Sequence, residues 1–180
     1  MDFAKRKSPR LKSYDYSTPG YYFVTMCTHE KRKILGSVVS SSQKVSNEIV
    51  GASHESPEIR LTAQGEIVDE IIRNIPVRFN VIVDKYVIMP NHIHLILVLK
   101  ENEALRAIRE SPLRHREMLD MVVGYIKMNA SKKIHNEVIH GKVWQRSYHD
   151  HIIRGEKDYR KIWEYIDTNP ARWSDDCFYL

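Results

Sequence analysis

Val81-Ile82-Val83-Asp84-Lys85-Tyr86-Val87-Ile88-Met89 and His92-Ile93-His94-Leu95-Ile96-Leu97-Val98-Leu99 are two apolar, β-branched runs separated only by Pro90-Asn91. Runs of this kind predict strands, and the Pro-Asn break predicts a turn or bulge that folds them into antiparallel neighbours. Residues two apart in a strand share a face. His92 and His94 therefore project side by side, while Ile93 and Leu95 enter the opposite layer. Two neighbouring imidazoles can hold one metal ion through ring nitrogens. An isolated His-x-His pair can equally pack and hydrogen-bond on a half-buried sheet, so the pair alone leaves both readings open.

Working outward, Thr62 is placed to cap a helix running to about Ile75, with Ile67, Val68, Ile71, Ile72 and Ile75 on one face and Pro76 stopping it. Tyr21 to Thr28, after the turn residues Pro19-Gly20, predicts the first strand. Residues 37 to 60 are Ser-rich and predict a loop with a short strand. Downstream, the charged stretch from Glu101 to Pro112 predicts a connection. A helix follows from about Arg114 to Ile134, with Met118, Val122, Tyr125, Ile126 and Ala130 inward. Val143 to Ile153 predicts a final strand. Glu156 to Thr168 predicts the last helix, with Tyr159, Ile162, Trp163 and Ile166 at i, i+3, i+4 and i+7, closed by Pro170. The order strand, helix, two strands, helix, strand, helix predicts an α+β fold. Its simplest form is a ferredoxin-like antiparallel sheet with helices on one face, plus a C-terminal helix carrying Tyr165. The expected division is a basic arm over 1–20, one domain over 21–173 and a tail over 174–180.

The 180 residues are enough for one domain with a substantial core. No apolar run reaches membrane-span length, and the basic N-terminus lacks the apolar segment of a secretory signal. Only two cysteines, Cys27 and Cys177, occur, so a cytoplasmic protein with free thiols is expected, without a structural zinc site. The net charge of +5 is compatible with a polyanionic partner. Lys5, Arg6, Lys7, Arg10 and Lys12 crowd the first dozen residues, an arm that is either a solvated tail or a phosphate-holding segment.

On the last helix, Tyr165 and Asn169 lie one turn apart, on the shoulder of the apolar stripe. From there both can lean into an adjoining cleft, although singly each also suits a core edge or a helix end. Taken together, Tyr86-Val87-Ile88-Met89-Pro90-Asn91-His92-Ile93-His94 and Tyr165-Ile166-Asp167-Thr168-Asn169-Pro170 resemble the single-tyrosine HUH transposases, most closely the REP-associated tyrosine transposase branch. Tyr14 to Thr25 and Val143 to His151 support the resemblance, which runs from about Arg10 to Arg172. It implies that His92 and His94 are metal ligands, that Asn169 is the third ligand and that Tyr165 is the nucleophile.

The implied activity is metal-dependent cleavage and strand transfer of single-stranded DNA through a 5′-phosphotyrosine intermediate. The implied cofactor is a divalent metal: Mg²⁺ prefers oxygen ligands, whereas Mn²⁺ accepts imidazole more readily. The expected partner is single-stranded or hairpin DNA, with no membrane, and a homodimer is left open. Arg6, Arg10, Lys127, Lys132, Lys133, Arg146 and Tyr148 are the candidate DNA contacts. His149 and His151 form a second alternating pair and a rival metal site. Two other functions compete: a non-catalytic nucleic-acid-binding ferredoxin-like module, and a hydrolase that uses water and leaves no protein–DNA adduct.

Overall fold

The computed structural model describes residues 18–39, 57–100, 118–137 and 141–179. Arg6 and Arg10 on the basic arm, most of the Ser-rich stretch and the 101–112 connection lie outside the described residues. Strands β1 (Gly20–Cys27), β4 (Val81–Ile88), β5 (His92–Leu99) and β6 (His149–Ile153) form one antiparallel sheet in the order β4-β5-β1-β6. Two short strands, β2 (Gly36–Val39) and β3 (Glu58–Leu61), pair separately. The helices are α1 (Ala63–Arg73), α2 (Ile75–Arg78), α3 (Met118–Glu137) and α4 (Glu156–Thr168). The first of the sheet's strands in chain order is central and the last lies at an edge, as in a ferredoxin-like sandwich. Among the described residues, no helix is long and apolar enough to cross a membrane.

Alternation along the strands divides the core in two. Tyr22, Val24, Met26, Ile93, Leu95 and Leu97 point to one side and pack with Val68, Ile72, Leu119 and Ile126 of α1 and α3. On the other side Ile96, Ile153 and Ile166 pack together, so α4 covers the opposite face. His92 and His94 stand on this α4 face, between strands that fix them from both sides.

Three local features differ from the sequence expectation. Thr62 does cap α1, its hydroxyl accepting from Gly65 N at 3.1 Å. The helix, however, ends at Arg73, and Pro76 sits in the first turn of α2. Proline lacks the amide hydrogen that a first turn leaves unused, so there it starts a helix rather than stopping one. The strand expected over Val143–Ile153 is regular only from His149. Before it the chain pairs briefly through Thr28 and Trp144, and the carbonyls of Gln145 and Ser147 bond the Lys127 ammonium instead of a neighbouring strand. Of the Ser-rich segment, residues 37–39 and 58–60 belong to two strands that pair with each other, where the sequence predicts one short strand, and residues 40–56 lie outside the described residues.

Candidate active site

The central side chains are held by their strand neighbours. His94 pairs with Thr25 across β1, and its Nδ1 lies 2.8 Å from the Thr25 hydroxyl. His92 Nδ1 lies 2.9 Å from Asn91 Oδ1. The Asn91 amide nitrogen donates to the carbonyls of Phe178 at 2.8 Å and Lys31 at 3.2 Å, which fixes the amide's orientation. Asn91 Oδ1 can only accept, so His92 must carry its proton on Nδ1. Its Nε2 is then a bare lone pair, buried and without a partner.

Helix α4 delivers the other groups. Tyr165 Oη lies 3.2 Å from His94 Nε2 and 3.4 Å from Asp176 Oδ2. Asn169, immediately after the helix, donates from Nδ2 to Asp176 Oδ2 at 2.8 Å, leaving its buried Oδ1 unpartnered. Asp176 Oδ2 is also 3.9 Å from His92 Nε2. The structure thus brings together Tyr165, His92, His94 and Asn169, and adds Asp176. That carboxylate sits in the stretch expected to be only a tail, and no periodicity or motif spacing in the sequence marks it.

Burial sets the electrostatics. Desolvation lowers His92 to about 4, with the nearby Asp176 carboxylate partly offsetting it, and drives His94 well below the usual histidine value. Both imidazoles are therefore neutral near pH 7, the form that binds metals. Burial, then the Asp176 carboxylate, raises the Tyr165 phenol above its ordinary value. The hydroxyl is protonated and needs a neighbouring positive charge to ionise.

A divalent cation fits this donor set. One ligand atom each from His92, His94 and Asp176 lies within 4.8 Å of the others, and two buried acceptors, His92 Nε2 and Asn169 Oδ1, lack any partner. Unsatisfied buried acceptors are costly unless a ligand completes them. Among the described residues, no other group of three His, Cys, Asp or Glu side chains converges in this way.

No protein-family profile matches the chain. A Haemophilus influenzae relative named "Uncharacterized protein" is 32% identical over 184 residues, covering 97% of this chain and 93% of its own length. A second protein from that organism, "Putative REP-associated tyrosine transposase", is 32% identical over 85 residues, 47% of each chain. A solved REP-associated tyrosine transposase, bound to a REP hairpin, superposes with a TM-score of 0.60 over 95% of this chain and 76% of that one. At 17% identity that likeness speaks for the fold. Over about half its length the chain is thus similar in sequence to a REP-associated tyrosine transposase, and its fold is similar to that of a solved one.

In this chain the C-terminal residues close over the imidazoles. The Phe178 ring lies 4.6 Å from His92 and Trp173 5.9 Å from it, centroid to centroid. Lys31 stands over Phe178, and Lys33 over Tyr179. Asp176 and Phe178, in the stretch expected to be a tail, therefore line this cluster.

Other expected residues lie elsewhere. Lys127, offered as a DNA contact, is partly buried and donates to Gln145 O and Ser147 O at 2.9 and 2.8 Å. Burial lowers it to about 8. Tyr148 donates to Asp120 at 2.9 Å, with Lys127 over its ring. Both brace the segment leading into β6. Lys133 pairs with Glu70, and Lys132 and Arg146 are exposed. His149 and His151 are exposed, and His151 bonds Asp158 at 2.8 Å rather than joining a ligand group.

Proposed function

We propose that this chain is a transposase of the REP-associated tyrosine type that cleaves and rejoins single-stranded DNA, with Tyr165 as nucleophile beside a divalent cation held by His92 and His94. The observation that carries the reading is the 3.2 Å separation between the Tyr165 hydroxyl and His94 Nε2, next to two buried acceptors that lack partners. His92 Nε2 and His94 Nε2 would supply the nitrogen ligands, and Asn169 Oδ1 an oxygen. When bound, the cation stabilises charge on the attacked phosphate and favours the ionised phenol. A nitrogen–oxygen set accepts either Mg²⁺ or Mn²⁺, and the two imidazoles favour Mn²⁺.

The chain's own groups divide the remaining work. Thr25 and Asn91 orient the imidazoles from the far side, the role that outer hydrogen bonds play around metal ligands. Asp176 Oδ2, 3.4 Å from the phenol, is placed to take its proton and to return it to the 3′ oxygen as that oxygen leaves. Tyr165 oxygen then attacks phosphorus while the bond to the 3′ oxygen breaks. This leaves a 3′-hydroxyl and a 5′-phosphotyrosine whose ester energy is conserved for rejoining. The hydroxyl reaches the imidazoles of its own chain, so one copy holds every named group. The structural neighbour's REP hairpin makes hairpin DNA with a single-stranded flank the first substrate to try.

The reading as a non-catalytic sheet surface is disfavoured by α4, which lies across the face that bases would need. Labelled hairpin DNA incubated with protein and Mn²⁺ should give a slow-migrating covalent species on a denaturing gel. Tyr165→Phe should abolish that species and retain DNA binding. Cleavage without an adduct would instead mark a water-using hydrolase, and an adduct surviving in Tyr165→Phe would remove Tyr165 from the role.

A further inference from the structure

The seam that holds the nucleophile continues along α4. Tyr165 and Asp158 are seven residues apart, almost two full turns, and so lie on the same side of the helix. Phe23 meets Tyr165 edge-on at 6.2 Å and pairs across the strands with His151, which bonds Asp158. One step further, Tyr21 pairs with Ile153. There the seam opens into a cavity of about 330 Å³ lined by Tyr21, Ile153, Gly155, Glu156 and Tyr159.

The walls have a specific chemistry. The Tyr21 and Tyr159 rings stand nearly perpendicular, at 76° with centroids 5.5 Å apart. Tyr159 is fixed by donating to Asp84 Oδ2 at 2.7 Å, and Tyr21 is 43% exposed. Gly155 sits at φ 98°, and a side chain there would project into open space. The volume lies at the small end of ligand sites, roughly 300–1,000 Å³, and suits one planar ring system. Arg154, Lys157 and Lys161 are exposed around the start of the helix, while Arg160 pairs with Glu156 and Asp158 with His151. That balance favours an anionic partner.

We propose that this cavity holds one unpaired nucleobase of the strand that Tyr165 attacks, stacked on the exposed Tyr21 ring with Tyr159 edge-on to it, and with flanking phosphates on Arg154 and Lys157. The proposal rests on the reading of the chain as a single-strand DNA transferase. Tyr159 and Tyr165 are six residues apart, about 9 Å along the helix. A stacked strand advances about 3.4 Å per nucleotide, so the base lies two or three nucleotides from the attacked phosphate.

The probe is a short fluorescent oligothymidylate, measured by anisotropy with the full chain at several salt concentrations. Loss of one base–aromatic stack should weaken binding roughly 5- to 150-fold in Tyr21→Ala. Tyr21→Trp should restore it, and the salt slope should stay as in the parent. Lys157→Ala should instead reduce the slope. The same oligomer carrying 4-thiothymidine should photocrosslink to Tyr21 or Tyr159 in the unaltered chain. Parent-like affinity in Tyr21→Ala, or crosslinks confined to other residues, would overturn the proposal. If Tyr165-dependent adducts form while Tyr21→Ala binds normally, only the cavity assignment is wrong. If Tyr21→Ala weakens binding but no DNA gives an adduct, the base site stands and the strand-transfer reading falls.

Discussion

Asn91 is the residue whose loss separates the account from a merely packed histidine pair. Its side chain makes three buried contacts: Oδ1 accepts from His92 Nδ1, and Nδ2 donates to the carbonyls of Lys31 and Phe178. Asn91→Ala removes all three. At about 1 kcal/mol net each, the loss is about 3 kcal/mol, which in a chain of this size lowers Tm by roughly 6–12 °C. His92 also loses the acceptor that fixes its tautomer, so Mn²⁺ affinity should fall about 10- to 100-fold, as for other outer-shell ligand supports. Asn91→Asp keeps the acceptor and loses the donors. It should lose stability while holding metal affinity closer to that of the parent. Thermal unfolding and calorimetric titration with Mn²⁺ read the two effects separately. An Asn91→Ala chain that binds Mn²⁺ as tightly as the parent would refute the tautomer reasoning.

Acid should destabilise the fold. His92 titrates near 4 when folded against 6.5 when unfolded, so between those values the unfolded chain binds more protons. Stability is then complete above about pH 6.5 and falls as pH drops toward 4, by about 3 kcal/mol for His92, with His94 adding in the same direction. Urea midpoints measured across that range, without metal, check the slope. Lys127→Met leaves the Gln145 and Ser147 carbonyls without their donor and should cost about 2 kcal/mol in denaturant unfolding, with DNA affinity unchanged. In Gly65→Ala the new Cβ would lie 2.0 Å from the Leu35 carbonyl oxygen, so the chain should unfold at distinctly lower denaturant, by about 3 kcal/mol.

The sheet and its helices were legible because their signals are local. His92–Leu99 and Glu156–Thr168 fall where alternation and helical spacing put them. The His92/His94 pair and the Tyr165/Asn169 register could be picked out for the same reason: the first lies within one strand, and the second spans the last turn of one helix and its cap. What could not be read depends on contacts between distant segments. Asp176 reaches the site only because the turn after Pro170 folds the chain back across β5, and nothing in Trp173-Ser174-Asp175-Asp176 announces it. Lys127 reads as a candidate DNA contact in the sequence, because its bonds to Gln145 and Ser147 belong to tertiary structure and leave no mark on the sequence. Pro76 misled because proline ends one helix and starts another by the same missing hydrogen.

The account comes down to which atom carries the DNA. Protein trapped with hairpin DNA and Mn²⁺, then digested with trypsin and nuclease, should yield the Ile162–Arg172 peptide with a nucleotide's mass added. Tyr165 is its sole tyrosine, and fragmentation should place the added mass there, with none when the metal is chelated. A nucleotide on any other peptide, or cleaved DNA with every peptide unmodified, would contradict it.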